Sequence, residues 1–356
     1  MIDNIFDLYV DYLISSFGAV TATGLSDSVD RLISHDKITR MLSVKPKTSA
    51  DLWFVVKPLI REIESPDGVL IIDDSISEKP STDENDIICR HYDHCKGISV
   101  KGINFMTALY YVRNTALPVG FQIIAKTEYY IDPKDGKEKR RCPVSKNEYC
   151  RAMIKQAVMN RIRFGYVLAD VWFASAENMM FIRHDVKKDF VMPVKTNRKI
   201  ALSYDDKREG RYVRADTVVF KTDTPIEIFL EDVDFPMLLI KQVFANKDGS
   251  TGILYLATSD TTMTYEQITT TYRKRWNVEC YHKSLKQNVS LEKSPAKTVN
   301  TQTNHLFASL CGYIKLEMLK ISGKSNHFAL KAKIYISAIQ SAFSELQKLQ
   351  PLKITA

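Results

Sequence analysis

Two aspartates each follow directly on a short apolar run, which is a position where acids can do chemistry. Asp73 follows residues 69–72, and Asp170 follows residues 166–169. Polar acids at the ends of buried strands lie where an open α/β sheet binds its ligands. Two such carboxylates can hold a hard, oxygen-liganded cation such as Mg²⁺. Each aspartate taken alone is weak evidence, since an aspartate after a strand often only forms a turn.

A third acid, Glu279, lies in a segment where polar residues recur at helical spacing. Counted from Tyr272, the residues Arg275, Glu279 and Lys286 are offset by 3, 7 and 14 positions. On one continuous helix with about 3.6 residues per turn, the four side chains fall within an arc of about 60°. So narrow a stripe is usually apolar core, and a polar one favours a site that binds metal and phosphate together. The alternative is a solvated face with ion pairs.

This spacing resembles the Y-(2)-R-(3)-E-(6)-K signature of bacterial insertion-sequence transposases of the DDE type. Residues 73–75 (Asp-Asp-Ser) are similar to the D-x-[ST] motif on the first strand of that family, and residues 168–170 to its strand with the second aspartate. Residues 198–263 resemble the β-strand insertion between the second aspartate and the glutamate. The resemblance implies a ribonuclease-H-like core and cut-and-paste movement of the element's own DNA.

The resemblance also implies roles for individual residues. Asp73, Asp170 and Glu279 would be the catalytic triad and would bind two Mg²⁺ (or Mn²⁺) ions, while DNA would be bound by Tyr272, Arg275 and Lys286. Asp73 rather than Asp74 is taken as the first ligand because only that register satisfies D-x-[ST]. The implied partners are double-stranded DNA, as terminal inverted repeats and target, and a second copy of the chain in a homodimer on DNA.

The elements that must position these residues form a β-β-β-α-β-α-β series. The apolar run at 69–72 is typical of a central strand buried on both faces, and two further strands are predicted at 98–112 and 117–125. A capping box, Ser145 to Glu148, predicts the start of a helix. The fold class predicted is α/β: a ribonuclease-H-like mixed sheet with flanking helices, interrupted by a β-rich insertion, plus an N-terminal helical domain.

Four segments follow from these patterns. They are a helical N-terminal domain at 1–66, the first part of the catalytic core at 67–197, the β-rich insertion at 198–263, and the rest of the core with C-terminal helices at 264–356. The N-terminal helices either bind DNA or form a cap on the main domain. Residues 134–141 are predicted as a basic loop, and residues 264–287 as one continuous helical pattern.

Composition limits the remaining possibilities. The chain has 356 residues, a formal charge of +8 and a pI near 9.0, which favours an anionic partner. No apolar run reaches the roughly 18 residues that span a bilayer, and the acidic start is unlike a signal peptide. Six cysteines form no disulfide framework. These features predict a soluble, cytoplasmic protein without membrane partners. No glycine-rich phosphate-binding motif is present.

Several alternatives stay open. Residues 89–95 contain two cysteines and two histidines, but they lack the paired spacing of a structural zinc site, and a polar loop is the preferred interpretation. A phosphatase with a D-x-D-x-[TV] motif is disfavoured because Ser75 stands where its second aspartate is needed. A ribonuclease-H-like nuclease without strand transfer, and a domesticated DNA-binding protein without catalysis, are the other two candidates.

Overall fold

The computed structural model of the protein describes residues 4–93, 96–221, 223–245, 248–323 and 325–348. The chain divides into two compact units. The larger unit comprises residues 48–281, and the smaller unit combines residues 1–47 with residues 282–356.

The described helices are, in chain order, α1 (Ile5–Ser15), α2 (Ala22–Ser28), α3 (His35–Ser43), α4 (Ser49–Ile63), α5 (Lys146–Met159), α6 (Ala176–Met180), α7 (Tyr204–Arg208), α8 (Tyr265–Arg273), α9 (Trp276–Asn288), α10 (Val299–Gly323) and α11 (His327–Leu346). Short 3₁₀ turns occupy Val171–Phe173 and Ala215–Thr217, and a π turn occupies Phe181–Asp185.

The described strands all lie in the larger unit. They are β1 (Val69–Glu78), β2 (Ile88–Asp93), β3 (Ile98–Val112), β4 (Thr115–Ile123), β5 (Glu128–Ile131), β6 (Glu138–Arg141), β7 (Tyr166–Ala169), β8 (Asp189–Val194), β9 (Lys199–Ala201), β10 (Val213–Arg214), β11 (Ile226–Leu230), β12 (Met237–Ala245) and β13 (Thr251–Thr258).

A mixed sheet forms the centre of the larger unit. Strands β4, β3 and β1 pair antiparallel, and β1, β7 and β8 continue as parallel neighbours. Strands β13, β12, β11, β9 and β10 then extend the same sheet beyond β8, each antiparallel to the one before. Together with the flanking helices this is the ribonuclease-H-like mixed sheet with a β-rich insertion, and the predicted fold class is confirmed.

The pairing of β1 with β7 sets the position of the two aspartates. The apolar residues of β1 from Val69 to Ile72 are fully buried, as expected of a central strand. Ile72 pairs with Ala169, the last residue of β7. Asp73 and Asp170 therefore come directly after the last paired residues of two adjacent parallel strands.

Two helices of the larger unit begin at side-chain caps that can be recognised in the sequence. Ser145 and Glu148 cap each other's backbone at the start of α5, and Thr264 and Gln267 do the same at α8. Helices α4 and α5 pack against β4. These contacts cover the part of the sheet that carries β1 and its antiparallel neighbours.

The helical pattern predicted at 264–287 is divided into two helices. Helix α8 ends at Arg273 and α9 begins at Trp276. Between them the N–H groups of residues 274, 275, 277 and 278 donate to carbonyls three residues earlier, which is the tighter 3₁₀ arrangement. The side chain of Asn277 also donates to the Lys274 carbonyl at 2.8 Å, in competition with the helical bond.

Two segments predicted as loops contain strands. The preferred loop at 89–95 overlaps β2, which pairs with β3. The basic segment 134–141 ends in β6, which pairs with β5 in a separate two-stranded ribbon. Arg141 lies opposite Glu128 in that ribbon, with its Nε 3.0 Å from the Glu128 Oε2. Cross-strand ion pairs stabilise such a ribbon without the apolar alternation that predicts strands.

In the smaller unit, α10 is the central element and is buried over most of its length. Helices α1 and α3 pack against it. The Asn304 side chain of α10 donates to the carbonyls of Leu42 and Val44, at 2.9 and 3.1 Å, and accepts from the N–H of Lys47 at 2.8 Å. None of the helices in the described part of the chain combines the length and apolar character needed to cross a bilayer.

Candidate active site

Asp73, on β1, is buried and forms an ion pair with Arg275. Its Oδ2 accepts from Nη1 of Arg275 at 3.2 Å, and its Oδ1 accepts from the N–H of Asp74 at 2.9 Å. The carboxylate of Asp74 accepts instead from Lys146 Nζ at 2.8 Å and from Asn104 Nδ2 at 2.9 Å. This difference follows from strand geometry, because successive side chains point to opposite faces. Of the two aspartates, Asp73 is the one bonded to Arg275.

Asp170 begins the 3₁₀ turn that follows β7. Its Oδ1 accepts from the N–H of Trp172 at 2.9 Å, which fixes the carboxylate at the start of the turn. Burial raises the pKa of Asp170, and the nearby charge of Asp74 raises it further. The Trp172 N–H and the charge of Arg275 act in the opposite direction.

Arg275 lies between two carboxylates. Its Nη1 bonds Asp73, and its Nη2 donates to Oε1 of Glu279 at 3.1 Å. The guanidinium carbon also lies 5.9 Å from the centre of the Tyr272 ring, within the range of a cation–π contact. Burial disfavours the charged form of Arg275, but Tyr272, Asp73 and Glu279 outweigh it and raise the pKa of the guanidinium.

The electrostatics join these residues into one cluster. Burial raises the pKa of Asp73 to about 7; Arg275 opposes this shift, whereas the charges of Asp170, Asp74 and Glu279 add to it. Burial also raises the pKa of Tyr272 to about 12, and Asp170 and Asp73 contribute to that shift. The charges of Asp170 and Glu279 therefore act on the carboxyl of Asp73.

The donor chemistry of Asp73, Asp170 and Glu279 fits a hard divalent cation, since all three offer carboxylate oxygens. Burial is the main cause of the raised pKa of Asp73, and the neighbouring carboxylates add to it; a bound cation would favour the ionised form. In the described part of the chain, no three or more His, Cys, Asp or Glu side chains are already arranged as a metal-ligand group. The guanidinium of Arg275 supplies positive charge among these carboxylates instead.

The sixth residue of the sequence prediction, Lys286, lies on the part of α9 that belongs to the smaller unit. Its Nζ is 3.1 Å from Oε1 of Glu292. The larger unit thus brings together Asp73, Asp170, Tyr272, Arg275 and Glu279, and the smaller unit holds Lys286.

Two residues near the cluster could not be predicted from the sequence. Lys146 and Asn104 hold Asp74, but they stand 72 and 30 residues away from it along the chain. No local pattern marks either residue, so only the fold reveals them. In the cysteine–histidine cluster, Cys89 Sγ lies 3.2 Å from His91 Nε2; His94 and Cys95 fall outside the described residues.

Comparisons with known proteins agree with the geometry. A family model described as "DDE superfamily endonuclease" matches residues 5–217, and one described as "Transposase DDE domain" matches residues 142–314. The first range includes both aspartates, and the second includes Asp170 and Glu279. The comparison with curated proteins gives no match.

Among solved structures, the chain is similar to one titled "Drosophila P element transposase strand transfer complex". The identity is 14%, over 48% of this chain and 34% of that chain, with a TM-score of 0.24, too low to support a conclusion on fold or function. The chain thus spans about a third of that protein's length. Because the endonuclease model covers more than half of the chain, the protein belongs to the DDE superfamily of endonucleases and transposases.

Proposed function

We propose that the protein is a transposase that binds the ends of its own insertion element and carries out Mg²⁺-dependent cleavage and strand transfer of DNA. One observation supports this most strongly. Arg275 bonds both Asp73 and Glu279, and the charge of Asp170 contributes to the raised pKa of Asp73. These contacts support a single site built from three acids that are far apart in the sequence.

In this proposal, Asp73, Asp170 and Glu279 hold two Mg²⁺ or Mn²⁺ ions. Such ions activate a water or a 3′-hydroxyl and stabilise the leaving oxygen of an in-line displacement. The chain's own residues prepare the site. Arg275 keeps two of the carboxylates together and balances part of their charge.

The DNA contacts are assigned by the same reasoning. Arg275 and Lys286 would contact backbone phosphates, since a guanidinium and an ammonium both bind phosphate oxygens. Tyr272, whose raised pKa keeps the hydroxyl protonated, would position DNA near the cleaved end. The partners would be terminal inverted repeats and target DNA, bound by a homodimer, with the enzyme acting on chromosomal DNA in the cytoplasm.

The finer family assignment and the domain plan belong to the same proposal. The spacing of Tyr272, Arg275, Glu279 and Lys286 supports membership in the Y-R-E-K group of bacterial insertion sequences. The segments proposed are a helical N-terminal domain at 1–66 as a candidate for DNA binding, core segments at 67–197 and 264–356, and the β-rich insertion at 198–263.

The test is cleavage and strand transfer on duplexes that carry the DNA flanking the gene, with and without Mg²⁺. Asp170→Asn and Glu279→Gln should each abolish cleavage while end binding persists, because an amide cannot supply the anionic oxygen that the ions need. Glu177→Gln is the matched control, since this carboxylate on α6 is largely exposed and pairs with Arg151.

Near wild-type cleavage by Asp170→Asn or Glu279→Gln would show that the assignment of the carboxylates is wrong. Metal-dependent cleavage without any joined product would instead support the alternative of a ribonuclease-H-like nuclease. Binding without cleavage by the wild type, under all metal conditions, would indicate a domesticated DNA-binding protein.

A further inference from the structure

The first two turns of α5 carry three polar side chains that bond the segments around both aspartates of the candidate active site. Lys146 is the first residue of α5, and Asn147 and Arg151 lie four residues apart, on one face of the helix. The capping box of Ser145 and Glu148 fixes the helix at this end. A rigid, capped helix end therefore sets the positions of these side chains.

Lys146 acts on the β1 side. Its Nζ donates to Oδ2 of Asp74 at 2.8 Å, and Nδ2 of Asn104 on β3 donates to the same oxygen at 2.9 Å. Asn104 is buried. The backbone N–H of Asp74 in turn donates to Oδ1 of Asp73 at 2.9 Å. Holding the Asp74 side chain therefore holds the N–H group that orients the Asp73 carboxylate.

Asn147 and Arg151 act on the β7 side through one buried amide. Nδ2 of Asn178, which is fully buried on α6, donates to Oδ1 of Asn147 and to the carbonyl of Phe173, both at 2.9 Å. The Oδ1 of Asn178 accepts from Nη1 of Arg151 at 2.8 Å. Phe173 ends the 3₁₀ turn that Asp170 caps, and its N–H donates to the Asp170 carbonyl at 3.2 Å. The Asn178 amide therefore ties the turn of Asp170 to α5.

We propose that the start of α5 fixes the separation of the Asp73 and Asp170 carboxylates and so adapts the site to Mg²⁺. Lys146, Asn147 and Arg151 are then positioning residues. The inference rests on the proposed function, which makes the two aspartates metal ligands. Mg²⁺ requires near-ideal octahedral geometry at about 2.0–2.1 Å, whereas Ca²⁺ accepts about six to eight ligands at about 2.3–2.6 Å. A small displacement of either carboxylate should therefore weaken the binding of Mg²⁺ more than the binding of Ca²⁺.

The experiment measures metal binding on the full chain without DNA. The melting temperature is followed as Mg²⁺ or Ca²⁺ is added, because a ligand of the folded state stabilises it according to its affinity. Lys146→Met and Asn147→Ala should each lower the ratio of Mg²⁺ affinity to Ca²⁺ affinity about tenfold, as expected for residues that hold metal ligands. Each variant is compared with its own metal-free melting temperature, so a loss of stability alone cancels. The lost charge of Lys146 acts on both divalent ions alike and cancels in the ratio.

Conservative variants should keep the wild-type ratio. Lys146→Arg retains a charged donor, and Asn147→Asp retains an oxygen that can accept a hydrogen bond. Lys155→Met and Asn160→Ala are the matched controls farther along α5, since Lys155 is exposed and Asn160 is the C-cap. Both controls should leave the two affinities unchanged. Asn178 is not substituted because it is fully buried.

The outcomes separate this inference from the proposed function. If Mg²⁺ stabilises the wild type but not Asp170→Asn, while Lys146→Met and Asn147→Ala keep the wild-type ratio, α5 does not position the aspartates and the proposed function stands. A lower metal-free melting temperature with an unchanged ratio would also overturn the inference, because the contacts would then only stabilise the fold. If neither metal stabilises the wild type, the inference fails; if the wild type also cleaves no DNA, the proposed function fails with it.

Discussion

Asp73→Asn should stabilise the metal-free protein at alkaline pH although it destroys the proposed site. The reason is the buried position of the Asp73 carboxyl, whose pKa is raised to about 7 from an ordinary value of 3.8. A group that resists ionisation in the folded state but ionises freely in the unfolded chain favours unfolding. Asparagine has nearly the same shape, keeps an oxygen that can accept from Arg275, and carries no charge.

The sign and size follow from the two pKa values. Below pH 3.8 the carboxyl is protonated in both states and contributes nothing to the pH dependence. As the pH rises, the unfolded chain ionises first, and the folded protein loses stability until the pH passes about 7. A difference of about three pKa units corresponds to about 4 kcal/mol, so the variant should gain up to about 4 kcal/mol over the wild type at pH 8.

The assay is urea unfolding of wild type and Asp73→Asn from pH 4 to pH 8 in a chelator, then again with Mg²⁺. The difference in the free energy of unfolding between the two proteins isolates the contribution of Asp73 from all other groups that titrate in this range. It should be near zero at pH 4 and grow up to pH 7. Mg²⁺ should stabilise the wild type and leave the variant nearly unchanged, because ligand binding stabilises only the protein that binds it.

Asp74→Asn serves as the control on the same strand. Its carboxylate is bonded to Lys146 and Asn104, so the substitution should lower stability or leave it unchanged at pH 8. The reasoning is refuted if Asp73→Asn is less stable than the wild type at pH 8 without metal. That result would mean that the Arg275 ion pair stabilises the ionised carboxylate by more than burial disfavours it.

Two further predictions concern DNA. Affinity for end-sequence duplexes, measured by anisotropy, should fall steeply with salt, by about 0.9 in log K per phosphate contact against log salt; a flat dependence would contradict a DNA partner. Lys286→Ala should change stability by no more than about 0.5 kcal/mol, as expected for a partly exposed pair with Glu292, while paired-end assembly or cleavage drops sharply. Unchanged melting temperature together with unchanged cleavage would make the signature match at Lys286 coincidental.

The positions of Asp73 and Asp170 could be predicted because the signal is local. Four consecutive apolar residues precede Asp73, and a strand buried on both faces needs such a run. The strands predicted at 98–112 and 117–125 leave only a short connection between them, and the turn lies there, at Arg113 and Asn114. Both residues have positive φ, 47° and 67°, as a two-residue turn between strands requires. Caps at Ser145 and Thr264 also follow from a few adjacent residues.

The features that could not be predicted from the sequence involve contacts between distant residues or between charged or polar side chains. Arg275 bonds Asp73 across 202 residues of chain, and no periodicity records such a pair. The β5–β6 ribbon has a charged cross-strand pair and no apolar alternation. Where α8 and α9 meet, the side chain of Asn277 donates to the Lys274 carbonyl, and helix periodicity does not detect such a contact.

Arg275, which lies between α8 and α9, has enough donors for two roles. The sequence resemblance assigns Arg275 to phosphate, whereas in the structure it bonds Asp73 and Glu279 through Nη1 and Nη2. A guanidinium has five N–H donors, so these two bonds leave others for a phosphate oxygen. With all groups ionised, Asp73, Asp170, Glu279 and Arg275 carry a formal charge of −2. One divalent ion would neutralise the cluster, and a second would make it positive. A positive site attracts the negatively charged phosphodiester backbone.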